Sequence, residues 1–242
     1  MIDFIEHSFD GIGGLHMIST RRSGGVSDAP YTSLNLGHHV GDASNNVQSN
    51  RDQLSAQFGW SNDPIWLNQV HGTKIIGAEE SATSNFVADG IHCQTIDRPC
   101  AILTADCLPL VLARADNHHF VCLHAGWKGI AAGVIEAGVK SLGGAAKDIR
   151  AWAGPCIGPQ AFEVGIDVKT QLGGPSQVWI SHPEDEKWFL DMYAYTQYRL
   201  ENLGVSDFSY ADACTFNEPE HYFSYRRDGV TGRQATVVWR ST

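Results

Sequence analysis

The sequence predicts a mixed α/β fold, and three observations predict it. Strand-like apolar runs gather in the middle of the chain, helical periodicity appears on either side of them, and the two kinds of segment do not alternate regularly. Regular alternation would have indicated a doubly wound parallel sheet; its lack leaves a mixed arrangement. The 242 residues suffice for one large domain or two small ones. No internal repeat and no long linker divides them, so residues 1–242 are expected to form a single domain.

The elements read as follows. A loop rich in turn formers spans Arg22 to Pro30, and Leu34-Asn35-Leu36-Gly37 comes next. A helix is expected from about Asn45 to Phe58, with Val47, Leu54 and Phe58 on one face. Ile65–Val70 has the character of a strand that delivers His71 to a turn at Gly72. Two runs, Cys100–Thr104 and Leu108–Ala113, flank Ala105-Asp106-Cys107, and His119–Leu123 leads straight into His124. The spacing of Ile130, Val134, Ala137 and Leu142 predicts one helix over 130–142. A strand at 149–153, a helix at 192–203 and strands at 208–211 and 235–239 complete the series.

Composition excludes several classes. With 43% hydrophobic and 18% charged residues the chain is globular and not disordered. A formal charge of -10, with no basic run beyond Arg21-Arg22 and Arg226-Arg227, argues against nucleic-acid binding. The N-terminus carries acids where a signal peptide needs basic residues, and no run approaches the roughly 18 apolar residues of a membrane span. A soluble cytoplasmic protein without membrane contact is the expectation. Six cysteines without a C-x-x-C pair then read as free thiols, one or two of them chemically active.

His71, Cys107 and His124 each lie where an expected strand gives way to a turn, which is where a sheet hands side chains to a cleft. Two imidazoles and a thiolate suit zinc, and three protein ligands leave a fourth position open, as in catalytic sites. With eleven His and six Cys such a triple also arises by chance, and buried core residues are the competing reading.

The flanking segments are Asn68-Gln69-Val70-His71-Gly72, Thr104-Ala105-Asp106-Cys107-Leu108-Pro109 and His124-Ala125-Gly126-Trp127-Lys128-Gly129. With Gly24–Ser27, Ser33–Gly37, Val40-Gly41-Asp42, Gly154–Pro159 and Phe223–Asp228, they resemble one bacterial family nearly end to end. Its members are called multicopper polyphenol oxidases or laccase-like proteins, peptidoglycan editing factors and, in the more recent assignment, purine nucleoside phosphorylases with adenosine deaminase activity. The resemblance implies a layered α-β-β-α sandwich similar to the cysteine-hydrolase-like fold, and catalytic zinc on His71, Cys107 and His124. It implies purine nucleosides (adenosine, inosine, methylthioadenosine) and phosphate as substrates, with a link to peptidoglycan precursors as a further implication. One departure concerns an arginine: the family reads Ser-Thr-Arg, one residue, then Gly-Gly, whereas Ser19-Thr20-Arg21-Arg22-Ser23-Gly24-Gly25 offers two. Counting back from the turn glycines selects Arg22; counting forward selects Arg21.

Copper oxidase chemistry fits the residues poorly. The chain contains no His-x-His, only the doublets His38-His39 and His118-His119, and a laccase needs more ligands than one triad supplies. Copper could still enter the zinc site in vitro, because it binds such ligands tightly. For deamination a zinc-activated water would need an acid/base partner, and Asp106 and Asp89 are the candidates, each with a loop-capping role as its alternative. For phosphorolysis Arg22 and Arg51 are candidate phosphate ligands, with Asn35, His39 and Gln69 as further polar contacts. Arg51 could equally be a solvated helix residue, and one of Arg226 and Arg227 could pair locally. His7, His16, His92, His118, His182 and His221 lack supporting motifs, and Trp127 could wall the pocket. Two other classes remain open: a metal-free Cys107–His124 hydrolase, which leaves His71 unexplained, and a binding partner in cell-wall synthesis.

Overall fold

In a computed structural model, residues 1–80, 86–115 and 119–241 are described. Two six-stranded sheets lie face to face. The first runs Phe4–His7, Leu15–Thr20, Gln234–Arg240, Cys100–Thr104, Ile65–Asn68 and Phe86–Val87 in spatial order; its last two pairings are parallel and the rest antiparallel. The second runs Asp207–Tyr210, Ile149–Ala153, Leu108–Arg114, Phe120–Ala125, Gly90–Cys93 and Ile75–Gly77, antiparallel in the middle and parallel at both ends. A three-stranded sheet (Glu163–Gly165, Lys187–Leu190, Trp179–Ser181) stands apart.

The period-two geometry of a strand divides these side chains between layers. Cys100 and Ile102 point between the sheets to meet Val111, Phe120, Cys122 and Trp152, while Ala101 and Leu103 point outward to Leu34, Leu36 and Leu54. Leu108, Leu110 and Leu112 point out on the other side, against Ile130, Val134, Ile135 and Leu142. Helix Ser44–Phe58 therefore covers one sheet, helices Val134–Leu142 and Met192–Asn202 cover the other, and the order is α-β-β-α. Central strands buried on both faces need no polar alternation, which is why they read as continuous apolar runs.

The expected helix over 130–142 is two helices, Trp127–Ala132 and Val134–Leu142. Gly133 breaks them with φ of 98°, a left-handed conformation that glycine adopts without steric cost. The apolar spacing survives the break because Ile130, Val134 and Leu142 still face the same sheet. Helix Ser44–Phe58 buries Val47 and Leu54 as expected, and also Asn50. The Asn50 amide donates to Ser27 Oγ (2.9 Å), Ser33 O (3.2 Å) and Asn35 O (2.9 Å), and its Oδ1 accepts from the Val26 N–H (2.8 Å). At about 1 kcal/mol per bond these contacts pin the Arg22–Pro30 loop against the helix. No helix among the described residues is long and apolar enough to cross a membrane.

Candidate metal centre and active site

The strand Ile65–Asn68 ends before His71, which adopts φ of 60° in the loop beyond it. Cys107 follows a bend at Asp106, φ 99°, and stands one residue before the strand Leu108–Arg114. His124 lies inside its strand, Phe120–Ala125, and not after it. One strand of the first sheet and two neighbouring strands of the second thus present their ends to one point. The ligand atoms of the three residues lie within 4.8 Å of one another, and they form the one such group of three or more His, Cys, Asp or Glu among the described residues.

The donor set fits a tetrahedral ion. His71 Nε2 is 3.8 Å from Cys107 Sγ, close to the about 3.5 Å that tetrahedral zinc imposes between a nitrogen and a sulfur ligand. The His71 and His124 rings meet edge to face, with centroids 4.6 Å apart. Gly126 leaves the space they need: a Cβ there would approach His71 Cδ2 to 2.8 Å and Cys107 Sγ to 3.0 Å.

Asp89 is fully buried beneath the triad. Its Oδ1 accepts from the His71 N–H (2.9 Å) and pairs with His124 Nδ1 (2.8 Å), while Oδ2 accepts from Gly72 N–H (2.7 Å) and Val70 N–H (3.2 Å). Burial opposes ionisation of Asp89, but His124 and the backbone donors outweigh it and hold the carboxyl below its ordinary range. Burial also pushes the Cys107 thiol up, yet the charge and hydrogen bonding of His124, then of His71, bring it down to about 6. Burial lowers His124, but the Cys107 charge and Asp89 raise it to about 9. At neutral pH and without metal, these opposite shifts favour a thiolate beside an imidazolium.

Two clefts meet at the triad. One, of about 310 Å³, is walled by Trp127, Ile157, Phe162, Met192 and Tyr225, with Lys128 and Arg226 also lining it. The other, of about 300 Å³, is lined by His39, Gln69, Thr104, His124, Tyr225 and Arg233. His71, Ala105, Cys107 and Tyr225 belong to both. Burial pulls the Arg233 guanidinium below its ordinary pKa, opposed by Cys107 and Asp106, and no carboxylate among the described residues forms an ion pair with it. His39 is held below its ordinary value by burial and then by Arg233, so it is neutral at pH 7.

Of the residues singled out in the sequence, His39 and Gln69 reach the second cleft; Gln69 also clamps the adjoining strand through both Leu103 N–H and O, each at 2.8 Å. Asn35 is fully buried behind it, and its Oδ1 accepts from the Gly37 and Arg233 N–H groups, both at 2.9 Å. Asp106 lines the first cleft, but its Oδ1 accepts from Thr215 Oγ1 (2.7 Å) and its Oδ2 from the Arg226 N–H (2.6 Å). Arg22 and Arg51 line neither cleft. Arg22 donates to Thr32 O and Pro219 O and lies over Phe223; Arg51 donates twice to Leu36 O and lies over Trp66. Arg21 pairs with Asp3, and Arg227 pairs with its neighbour Asp228, whereas Arg226 faces the cleft. His7 and His16 stack on Trp152 and Trp239, His182 pairs with Glu163, His92 neighbours His119, and His221 lies beside Tyr222. His118 lies outside the described residues. The six cysteines are free thiols.

Arg233, Phe162 and Met192 are not among the site candidates read from the sequence, and Lys128 and Tyr225 stand there only within motifs that carry the family resemblance. Arg233 carries no local signal beyond a basic residue between Gly232 and a strand; Asn35, 198 positions away, orients it.

The model of one protein family, described as multi-copper polyphenol oxidoreductase laccase, matches residues 16–241. The chain belongs to that family. A purine nucleoside phosphorylase of Haemophilus influenzae is 41% identical over 235 residues, covering 93% of this chain and 94% of its own. The Escherichia coli relative named purine nucleoside phosphorylase YfiH is 40% identical over 230 residues, with 93% and 94% covered. Among solved structures, Neisseria meningitidis protein NMB0706 superposes with a TM-score of 0.92 at 33% identity, covering 99% of this chain and 100% of that one. YlmD from Geobacillus stearothermophilus gives 0.90 at 27% identity, with 99% and 97% covered. The oxidase description sits beside a single three-ligand group among the described residues, fewer ligands than the several clustered histidines of coupled copper centres.

Proposed function

We propose that this chain is a zinc-dependent purine nucleoside phosphorylase whose site also deaminates adenosine. The observation that carries the reading is the meeting of two clefts at an open three-ligand centre, one walled by Trp127, Phe162 and Tyr225 with Lys128 and Arg226 beside them, the other lined by His39, Gln69 and Arg233, which has no ion-pair partner among the described residues. The names of the relatives at 40–41% identity support the same activity.

A purine offers a flat apolar face, suited to Trp127, Phe162 and Tyr225. Phosphate requires charged donors, which Arg233 supplies through Nε and Nη2, its Nη1 being bonded to Thr231 O (3.0 Å) and Gly232 O (2.9 Å), with His39 as a neutral partner. The ribosyl carbon then falls between the clefts, beside the triad. A phosphate oxygen bonds C1′ there as the C1′–N9 bond breaks, and the bond pair leaves with the purine. Arg233 orients the nucleophile and the aromatic walls orient the leaving base. When bound, zinc would supply Lewis acidity and a lowered pKa for water at its open position. His71, Cys107 and His124 hold it, and no second group of ligands among the described residues would serve a multicopper centre.

A metal-free hydrolase is the second reading, favoured by the Cys107–His124–Asp89 series with its depressed thiol and buried carboxylate. Incubation of the purified protein with adenosine and phosphate decides between them. Adenine with ribose 1-phosphate is the expected product, with inosine from the deaminase route. Turnover unaffected by removal of zinc would sink the metal reading and favour the thiol enzyme, and no product from adenosine would leave a binding role ahead.

A further inference from the structure

We propose that Asp89 is the positioning residue of the metal centre, one buried carboxylate that fixes two of the three ligands. The inference rests on the zinc reading above. Asp89 touches neither cleft; both of its oxygens are taken by donors on the ligand segments.

The first ligand it fixes is His71. A left-handed φ of 60° is unfavourable for a residue with a side chain, and the loop holds it because Val70, His71 and Gly72 all donate backbone N–H groups to Asp89. The second is His124. With Nδ1 bonded to Asp89 Oδ1 at 2.8 Å, the proton of a neutral ring belongs on Nδ1 and the lone pair on Nε2. The backbone repeats the link, since the His124 N–H donates to Asp89 O at 2.8 Å. Cys107 is placed independently, by the bend at Asp106. A carboxylate behind a ligating histidine sets ring orientation and tautomer, and its loss typically costs ~10–100-fold in metal affinity. Here one carboxylate does this for a histidine and also shapes the loop of the other.

Asp89→Asn tests the role. An amide cannot accept on both arms, so its NH₂ must face either the loop N–H groups or the His71 N–H with the His124 ring. Zinc affinity, read by competition with a chromophoric chelator, is expected to fall about 10–100-fold. A purely structural role would instead lower the unfolding temperature of the metal-free protein and leave the affinity of its folded fraction unchanged. A folded variant that binds zinc within threefold of wild type overturns the proposal. Should the variant fail to fold, nitrogen-15 NMR of zinc-loaded wild type decides: the proton on His124 Nδ1 and the metal on Nε2 is the expected result, and the reverse overturns it. Wild type that binds no zinc fails the metal reading itself, whereas zinc-binding wild type with an unaffected variant fails only the role of Asp89.

Discussion

Gly126 faces Cys107 so closely that a single added methyl would stand 3.0 Å from its sulfur and 2.8 Å from the His71 ring. Its φ of −69° is open to any residue, so the demand for glycine there is steric. Gly126→Ala is therefore expected to displace ligands without perturbing the backbone. Zinc affinity should fall at least about tenfold, in the range seen when ligand geometry is disturbed. Chelator competition measures the affinity, and circular dichroism of the metal-free form should show an unfolding temperature close to that of wild type. Equal zinc affinity in the variant would mean that the triad does not hold the metal.

Arg233 and Arg51 separate the proposed phosphate site from the scaffold. Arg233→Met should raise the KM for phosphate by tenfold or more while zinc content stays constant, because a charge-assisted fork is lost in a half-buried cleft. Arg51→Met should leave that KM within about twofold. It loses two bonds to Leu36 O and the face of Trp66, so its cost should appear as about 2 kcal/mol of stability in denaturant unfolding. If the two variants exchange these phenotypes, the anion site lies where the sequence motifs first suggested.

The Cys107–His124 pair governs how metal binding responds to pH. Cys107 is depressed from an ordinary 9.0 to about 6, so its stabilising contribution is full above pH 9 and is lost as pH falls toward 6. His124 is raised from 6.5 to about 9, so its contribution is full below pH 6.5 and is lost as pH rises toward 9. Between about pH 6.5 and 9 the two slopes oppose each other, and the metal-free pair should leave stability flat. Throughout that window the pair carries one proton, on His124, which must leave when Nε2 binds metal. Calorimetric zinc titrations in buffers of different protonation enthalpy should show about one proton released by this pair per zinc.

The sequence made the layers legible where strands are buried on both faces. Cys100–Thr104, Leu108–Arg114 and Ile149–Ala153 stand in the structure where continuous apolar runs indicated them. Edge strands such as Phe4–His7 and Phe86–Val87 escaped notice because one side of each meets solvent or loop, and two to four residues carry little periodicity. The triad was legible through its flanking motifs, since ligands at strand ends are set by local turns. The proposed anion site was not. Arg233 acquires its place in the cleft from a bond to Asn35 and from the pairing of the last strand with Cys100–Thr104 in the middle of the chain. Nothing near Arg233 in the sequence records that pairing, whereas Arg22 and Arg51 lie in conspicuous segments and serve to hold loops.

Asp106 offers the sharpest test of that distinction. It borders Cys107 and lines the apolar cleft, which would suit a general acid, but both of its oxygens are committed: one to the Thr215 hydroxyl, the other to the Arg226 N–H in the first turn of Tyr225–Asp228. It also anchors the opposite wall, since its backbone O accepts from the Ile157 N–H at 2.9 Å. A carboxylate so engaged ties three segments around the cleft. Asp106→Asn keeps the tolerated left-handed backbone and both contacts, its Oδ1 accepting from the Arg226 N–H and its NH₂ donating to a reversed Thr215 hydroxyl, but removes the charge from each. Stability should drop by about 1–2 kcal/mol, as two charge-assisted bonds become neutral ones. Turnover should fall less than about tenfold, short of the ~10²–10⁴ that loss of a general acid or base removes. Measured side by side, a hundredfold loss of kcat with unchanged unfolding would make Asp106 the proton carrier and not the anchor.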